Sequence, residues 1–214
     1  MEYAVPLADE FLLLALRDND GRLPFRSAAL QAGLAGALLA DLALTGRITV
    51  GGDLVTVCDA TPPDDPDLAA ALGRIAGEAK PRKPEWWVSR LIDDDLAARR
   101  LARLTERGTV DATTYRVFGV IPGRRYSGRD AELEPEIRAR LAAALDTGRA
   151  DERTAVLLAL AHASGLIARL SGISGRDLRE RVEHVTAHHW AGKAVDRVAG
   201  GAALGAMANS AVAG

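Results

Sequence analysis

One cysteine, nine aromatic residues and three lysines are all that the 214-residue chain contains of those types. Because Cys58 stands alone, no disulfide can form within the chain, which excludes a stapled secreted scaffold and points to a reducing compartment. With aromatics at 4%, and alanine and leucine near a third of all residues, the core has to be built from small aliphatic side chains on helices; an all-β sandwich is disfavoured. No uninterrupted apolar run reaches the length of about 18 residues that crosses a bilayer. Met1-Glu2-Tyr3 lacks the basic region that opens a signal peptide. The least polar stretch, Val198 to Gly214, is rich in alanine and glycine and carries Asn209 and Ser210. Lysine is outnumbered by 24 arginines, the composition of a GC-rich bacterial genome.

The charge that is present is unevenly distributed. Lys80 to Arg129 holds 12 basic and 6 acidic residues, a net of +6, whereas the rest of the chain nets −8. Trp86, Trp87, Tyr115, Phe118 and Tyr126 lie in the same fifty residues. Cations interleaved with aromatics in an otherwise acidic chain are the footprint of a surface that meets polyanions, either nucleic acid or an anionic membrane. The competing account is that these arginines pair with local acids.

Residues 7 to 17 are apolar on nearly every face and predict a buried first helix, ended by Asp18-Asn19-Asp20-Gly21. A long Ala/Leu helix follows from about Ser27, an N-cap, to Thr45, with Gly46 as its left-handed C-terminal residue. Alternation around Gly51-Gly52-Asp53 predicts a β-hairpin. Pro-rich residues 61 to 66 cap a helix over about 67 to 79, and Lys80 to Pro84 form an extended basic connector into a helix carrying Trp86 and Trp87. Helix, glycine and hairpin then recur, because Leu104-Thr105-Glu106-Arg107-Gly108 leads into the segment 109 to 120. Further helices are expected at about 130 to 146, 151 to 170 and 174 to 189. Val156, Leu157, Leu160, Ile167 and Leu170 form one apolar stripe, which places that helix at the core.

Little in this pattern supports enzymatic chemistry. His184 and His188 stand one helical turn apart, but the further ligands of a metal site are missing, and the reading is no metal and no cofactor. His162 lies inside an apolar run and reads as a hydrogen-bonded core histidine; Cys58 has no signature of an activated nucleophile. No phosphate-cradling glycine loop is present. Asp93, Asp94 and Asp95 read as a charge cluster at the start of the next helix. There Arg99, Arg103 and Arg107 recur at i, i+4 and i+8 with Arg100 alongside, and Leu96, Leu101 and Leu104 lie opposite; such a stripe suits phosphate groups. In the second hairpin, Val117, Phe118, Val120 and Ile121 accompany Arg116, Arg124 and Arg125. Apolar tip residues ringed by arginines suit shallow insertion into an anionic interface, or burial against a second subunit.

The segments LADEFLLLALRDNDGRL, ALLADLALTGRI, TPPDDPDLAAAL, RLARLTERGTV and LLALAHASGL, in this order, resemble the Golgi phosphoprotein 3 family, including its bacterial branch. The resemblance implies a mainly α-helical, single compact domain with one or two β-hairpins, spanning 1–200 ahead of an Ala/Gly-rich tail at 201–214. It implies a non-enzymatic peripheral membrane adaptor on the cytoplasmic face that binds phosphatidylinositol 4-phosphate and retains proteins through short tails. The family's lipid-pocket positions fall at about Arg26, Ala35, Asp94 and Ala97, which depart from the family's tryptophan and arginines. The expected anion-binding set is therefore Arg26, Arg90, Arg99, Arg100, Arg124 and Arg125, with Val117, Phe118, Val120 and Ile121 as membrane or oligomer contacts. Two further readings accompany it: a winged-helix-like DNA-binding protein, motivated by the two helix-hairpin units and the arginine stripe, and a tail-binding adaptor without lipid specificity.

Overall fold

The structure, a computed structural model, describes residues 5–18, 27–117, 121–128, 133–167, 175–186 and 189–199; the side chains of 17–18, 115–117, 121–125 and 127–128 lie outside the description. Among these residues the chain is mainly helical, with two separate two-stranded antiparallel hairpins. One contiguous hydrophobic cluster runs from Leu7 to Val195.

Helix α1 (Leu7–Asp18) is covered on every side: Leu7, Phe11, Leu12 and Leu14 are each fully buried. It packs against α2 (Ala28–Leu44), the central helix, which also touches α3, α4, α5 and α7. Ser27 caps α2 by accepting from the Leu30 amide, and Gly46 closes it at φ +71°. Two glycines inside α2 admit close neighbours. A Cβ on Gly33 would lie 2.2 Å from the Phe11 ring, and one on Gly36 would lie 2.4 Å from Val195 Cγ2 and 2.9 Å from Leu160 Cδ2. An otherwise helix-weakening residue is used here because it lets two helices approach.

Strands β1 (Ile48–Gly51) and β2 (Leu54–Val57) pair with Gly51 opposite Leu54, and Gly52 and Asp53 form the turn at φ +56° and +62°. Positive φ at both central residues defines a type I′ turn, whose twist matches that of the strands. Helix α3 (Pro66–Ala76) begins with Pro66 at its first position and is capped by Asp65, which accepts from the amides of Asp67 and Leu68. Helices α4 (Pro84–Leu91) and α5 (Leu96–Glu106) follow, then β3 (Val110–Val117) and β4 (Ile121–Gly128).

The repeated helix-glycine-hairpin pattern is real at the level of hydrogen bonds. Arg47 N donates to Leu42 O and Gly46 N to Ala43 O; after α5, Thr109 N donates to Leu104 O and Gly108 N to Thr105 O. Both glycines are left-handed, at +71° and +74°. The same C-terminal closure thus turns each helix into a strand.

Helices α6 (Leu133–Thr147), α7 (Glu152–Ala163), α8 (Arg176–Thr186) and α9 (190–199) complete the fold. The helix expected over 151 to 170 ends at Ala163, because Ser164 caps it and Gly165 takes φ +73°. Likewise α3 stops at Ala76 rather than near 79, with Gly77 at its C-cap. The second hairpin is longer than the segment 109 to 120. Val156, Leu157 and Leu160 are buried in the core as expected, and Leu170 lies outside the described residues.

The glycines allow a paired test. Gly36→Ala forces a methyl into Val195 and should cost about 1–3 kcal/mol. Gly73→Ala, at an exposed position of α3 with open space around the new Cβ, should gain about 0.5–1 kcal/mol. Chemical denaturation of both variants checks this; equal effects would contradict the close α2 packing.

Candidate functional site

The arginine stripe of α5 does not face solvent as a free cationic surface. Asp67, near the start of α3, accepts from Arg99 Nη2 at 3.1 Å and also from Arg103 Nη2; Asp93 accepts from Arg99 Nη2 at 2.8 Å. Arg100 is only 1% exposed. Its Nη1 donates to Asp9 at 3.1 Å and its Nη2 to Asp65 at 2.8 Å, while Nε lies 3.2 Å from Asp67 Oδ2 without being aligned to donate. Burial works against the Arg100 charge, but the carboxylates of Asp9, Asp65 and Asp67 outweigh it and hold the guanidinium more firmly protonated than in water. On Asp9 the balance tips the other way: burial raises its pKa in spite of Arg100.

The structure therefore corrects the sequence reading of Arg100, which is a buried structural cation and not part of an anion-binding surface. Arg99 remains partly exposed but is engaged by two carboxylates, so local pairing with acids, the competing account of this charge, holds for Arg99, Arg100 and Arg103, while Arg107 at the end of the stripe is exposed.

A second network sits beside the first. Glu10 accepts from Arg140 Nη2 at 2.8 Å and from Arg153 Nε at 3.4 Å. Arg153 Nη1 also reaches Asp41 at 3.5 Å, and its Nη2 donates to the Val5 carbonyl. The other oxygen of Asp41 accepts from the Leu7 amide at 2.8 Å, fixing the start of α1. Asp41 is 4% exposed, and burial pushes its pKa up to about 6 even though Arg153 and the Leu7 amide pull it down.

Of the positions that the resemblance assigns to a lipid pocket, the three described ones, Ala35, Asp94 and Ala97, are not cations. Gln31 Nε2 donates to Asp94 at 2.5 Å, while Ala35 and Ala97 are buried. Arg26 lies outside the described residues. Arg90 is exposed at the end of α4, its carbonyl accepting from Arg74 Nη1. A cleft of about 220 Å³ nearby is lined by Arg74 and Arg99 and equally by Asp67 and Asp93.

In the β3–β4 ribbon, Val110 and Tyr126 are buried and anchor the base, which packs against α5 and α1. The register sets Val117 opposite Ile121, Thr114 opposite Arg124 and Thr113 opposite Arg125. Phe118 and Val120 lie outside the described residues, and so do the side chains of Arg124 and Arg125.

A groove that the sequence did not suggest opens between the first hairpin, the 80 to 83 connector, α4 and the end of α9. It has a volume of about 550 Å³ and contains Leu54 and Trp86, the two exposed large hydrophobic residues among those described, 38% and 36% accessible. Elsewhere, His162 is half-buried in a cleft with Arg179 and Glu183, and burial, reinforced by Arg179, lowers its pKa. Cys58 is exposed. Among the described residues no cluster of three or more metal-ligating side chains occurs, and no helix is long and apolar enough to cross a membrane.

The raised pKa of Asp41 has a definite sign. Its folded value, about 6, exceeds the unfolded 3.8, so the folded state takes up a proton first on acidification. This group favours folding by about 3 kcal/mol below the unfolded pKa, an advantage lost as pH rises through 6. Carboxyl carbon NMR should give Asp41 a midpoint near 6; a midpoint near 4 would contradict its desolvation.

No curated protein matches the chain. A family model described as Golgi phosphoprotein 3 (GPP34) matches residues 7–200, from the first residue of α1 to just past the end of α9. With its helical core, its two hairpins and this match over most of its length, the chain belongs to the Golgi phosphoprotein 3 family.

Proposed function

We propose that the protein is a non-enzymatic peripheral membrane adaptor that binds anionic lipid, with a phosphorylated headgroup as the preferred ligand, on the cytoplasmic face of a membrane. Membership of the family fits a lipid-associated adaptor role. The observation that carries the finer reading is the ribbon register. It sets Val117 and Ile121 together at the far end of β3–β4 and Arg124 and Arg125 a short distance down the same strand. Apolar residues at a ribbon tip with arginines behind them suit an interface in which chains enter the acyl boundary and cations meet phosphates.

Internal neutralisation of α5 moves the lipid contact away from Arg99 and Arg100 and toward Arg124 and Arg125, with Arg26 and Arg90 as further cations. It also weakens one of the two motives for a duplex-binding reading, since Arg99 and Arg103 of the stripe meet Asp67 and Asp93, while the paired helix-hairpin units stand. Burial of the same apolar tip against a second copy of the chain is the competing use of Val117, Phe118, Val120 and Ile121.

Flotation with anionic and neutral vesicles at low salt tests the proposal. Anionic vesicles should carry the protein and neutral ones should not. Arg124→Glu and Arg125→Glu should each weaken binding by about 1 kcal/mol or more, and Phe118→Asp should weaken it further. Equal recovery with both vesicle types would overturn the lipid reading.

A further inference from the structure

The end of α9 and the groove beside the first hairpin carry an inference that stands apart from the lipid reading. Leu54 and Trp86, the two exposed large hydrophobic residues among those described, share the lining of this groove. Trp86 meets Trp87 edge-on, with ring centroids 4.7 Å apart, and Trp87 is buried, so the outer indole rests on the core. The Val55 amide donates to the Arg82 carbonyl at 2.8 Å, which ties the connector to β2. The apolar surface is therefore held in place from below and from the side.

The charges around it are answered within the chain. Glu78 accepts from Arg82 Nε at 3.2 Å and Nη2 at 2.9 Å, and the same guanidinium lies 5.1 Å from the Trp86 ring centroid. Arg197 Nη1 donates to Glu85 at 2.7 Å, attaching α9 to α4. Lys83 on the lining and Asp53 in the adjacent turn are exposed charges of opposite sign. With no net charge left to meet, the groove rewards an occupant that brings apolar surface and no charge of its own.

One such segment starts at the groove. Ala194 and Val195 seat α9 in the core, and its last turn brings Arg197 and Val198 into the lining. Residues 200–214 come next in the chain; they contain no charged side chain and offer Leu204, Met207 and Val212 among alanines and glycines. Gly200-Gly201 at their start have the backbone freedom that a reversal of direction needs. Residues 201–214 also lie past the stretch that the family model matches. Five residues of extended chain span about 17 Å, so Leu204 can cross a groove that Val198 already lines. Covalent attachment keeps the segment at high effective concentration, and a weak contact then suffices.

We propose that residues 200–214 fold back from α9 as an intramolecular strap over this groove, with Leu204 or Met207 resting on Trp86 and Leu54. The strap covers the apolar pair and keeps it from adhering to other molecules.

A bimane label, whose emission is quenched by contact with an indole, tests this in the full chain. It is attached to Leu204→Cys or Met207→Cys, one at a time, in a chain carrying Cys58→Ser. At one or both positions the folded chain should lose most of the emission seen after denaturation. Trp86→Phe should restore it, Trp190→Phe should not, and the quenching should be independent of protein concentration. In the unlabelled chain, Leu204→Asp combined with Met207→Asp should make tryptophan emission more accessible to acrylamide, and Trp86→Phe should abolish that increase. Emission at both positions that Trp86→Phe leaves unchanged, or acrylamide access unaltered by the paired aspartates, would overturn the proposal. Quenching that grows with protein concentration would give the groove to a second copy of the chain, and would overturn the intramolecular strap. None of these readouts involves lipid, so their failure leaves the adaptor reading as it is.

Discussion

A guanidinium buried among three carboxylates is the constraint on which the rest of the architecture depends. Removing Arg100 from water costs several kcal/mol, and only good geometry with opposite charges offsets that. Asp9 from α1, Asp65 at the cap of α3 and Asp67 inside α3 provide it. Because the three acids belong to two helices and Arg100 to a third, their mutual placement is fixed as a set. Asp65 serves twice, ending the orphan amides of α3 and neutralising Arg100, so the start of α3 and the seating of α5 cannot vary independently.

The second network extends the same logic to the other half of the molecule. Glu10 follows Asp9 directly on α1 and binds Arg140 of α6 and Arg153 of α7, while Asp41 of α2 binds Arg153 and the first amide of α1. Two adjacent acids on one buried helix therefore address two different sets of arginines. The cost is visible at Asp41, whose carboxyl is held near pH 6 by burial. The functional consequence is subtractive: cations that a linear reading assigns to the surface are used to hold the helices together. The place proposed for recognition is accordingly the far end of the β3–β4 ribbon, where Val117 pairs with Ile121.

Local chemistry was legible in the sequence wherever the signal lies within a few residues. Ser27, Gly46 and Gly108 act as caps, Gly52-Asp53 makes the turn, and Asp65 with Pro66 starts α3, all as their types dictate. The order of the family segments was legible too, and with it the helical fold. What could not be read were partners across the fold. Asp67 meets Arg99 from 32 positions away, and Asp9 meets Arg100 from 91; nothing at an i, i+4 spacing reveals them. The arginine stripe was identified correctly as a stripe and misread as a surface for that reason. The groove was missed because Leu54, Trp86 and Arg197 come from three distant segments, and because Trp86 and Trp87 read alike while only the second is buried. The end of α7 was missed because one apolar stripe continues in sequence through Ser164-Gly165, where the backbone turns away.

Arg100 holds α1, α3 and α5 together, and its replacement by an apolar side chain of similar length tests that most directly. Guanidinium denaturation of Arg100→Met, which leaves Asp9 and Asp67 buried without their shared cation, should show a loss of about 3–5 kcal/mol relative to the wild type. A change within about 0.5 kcal/mol, as for an ordinary surface substitution, would contradict the account and return Arg100 to the set of residues free to bind a ligand.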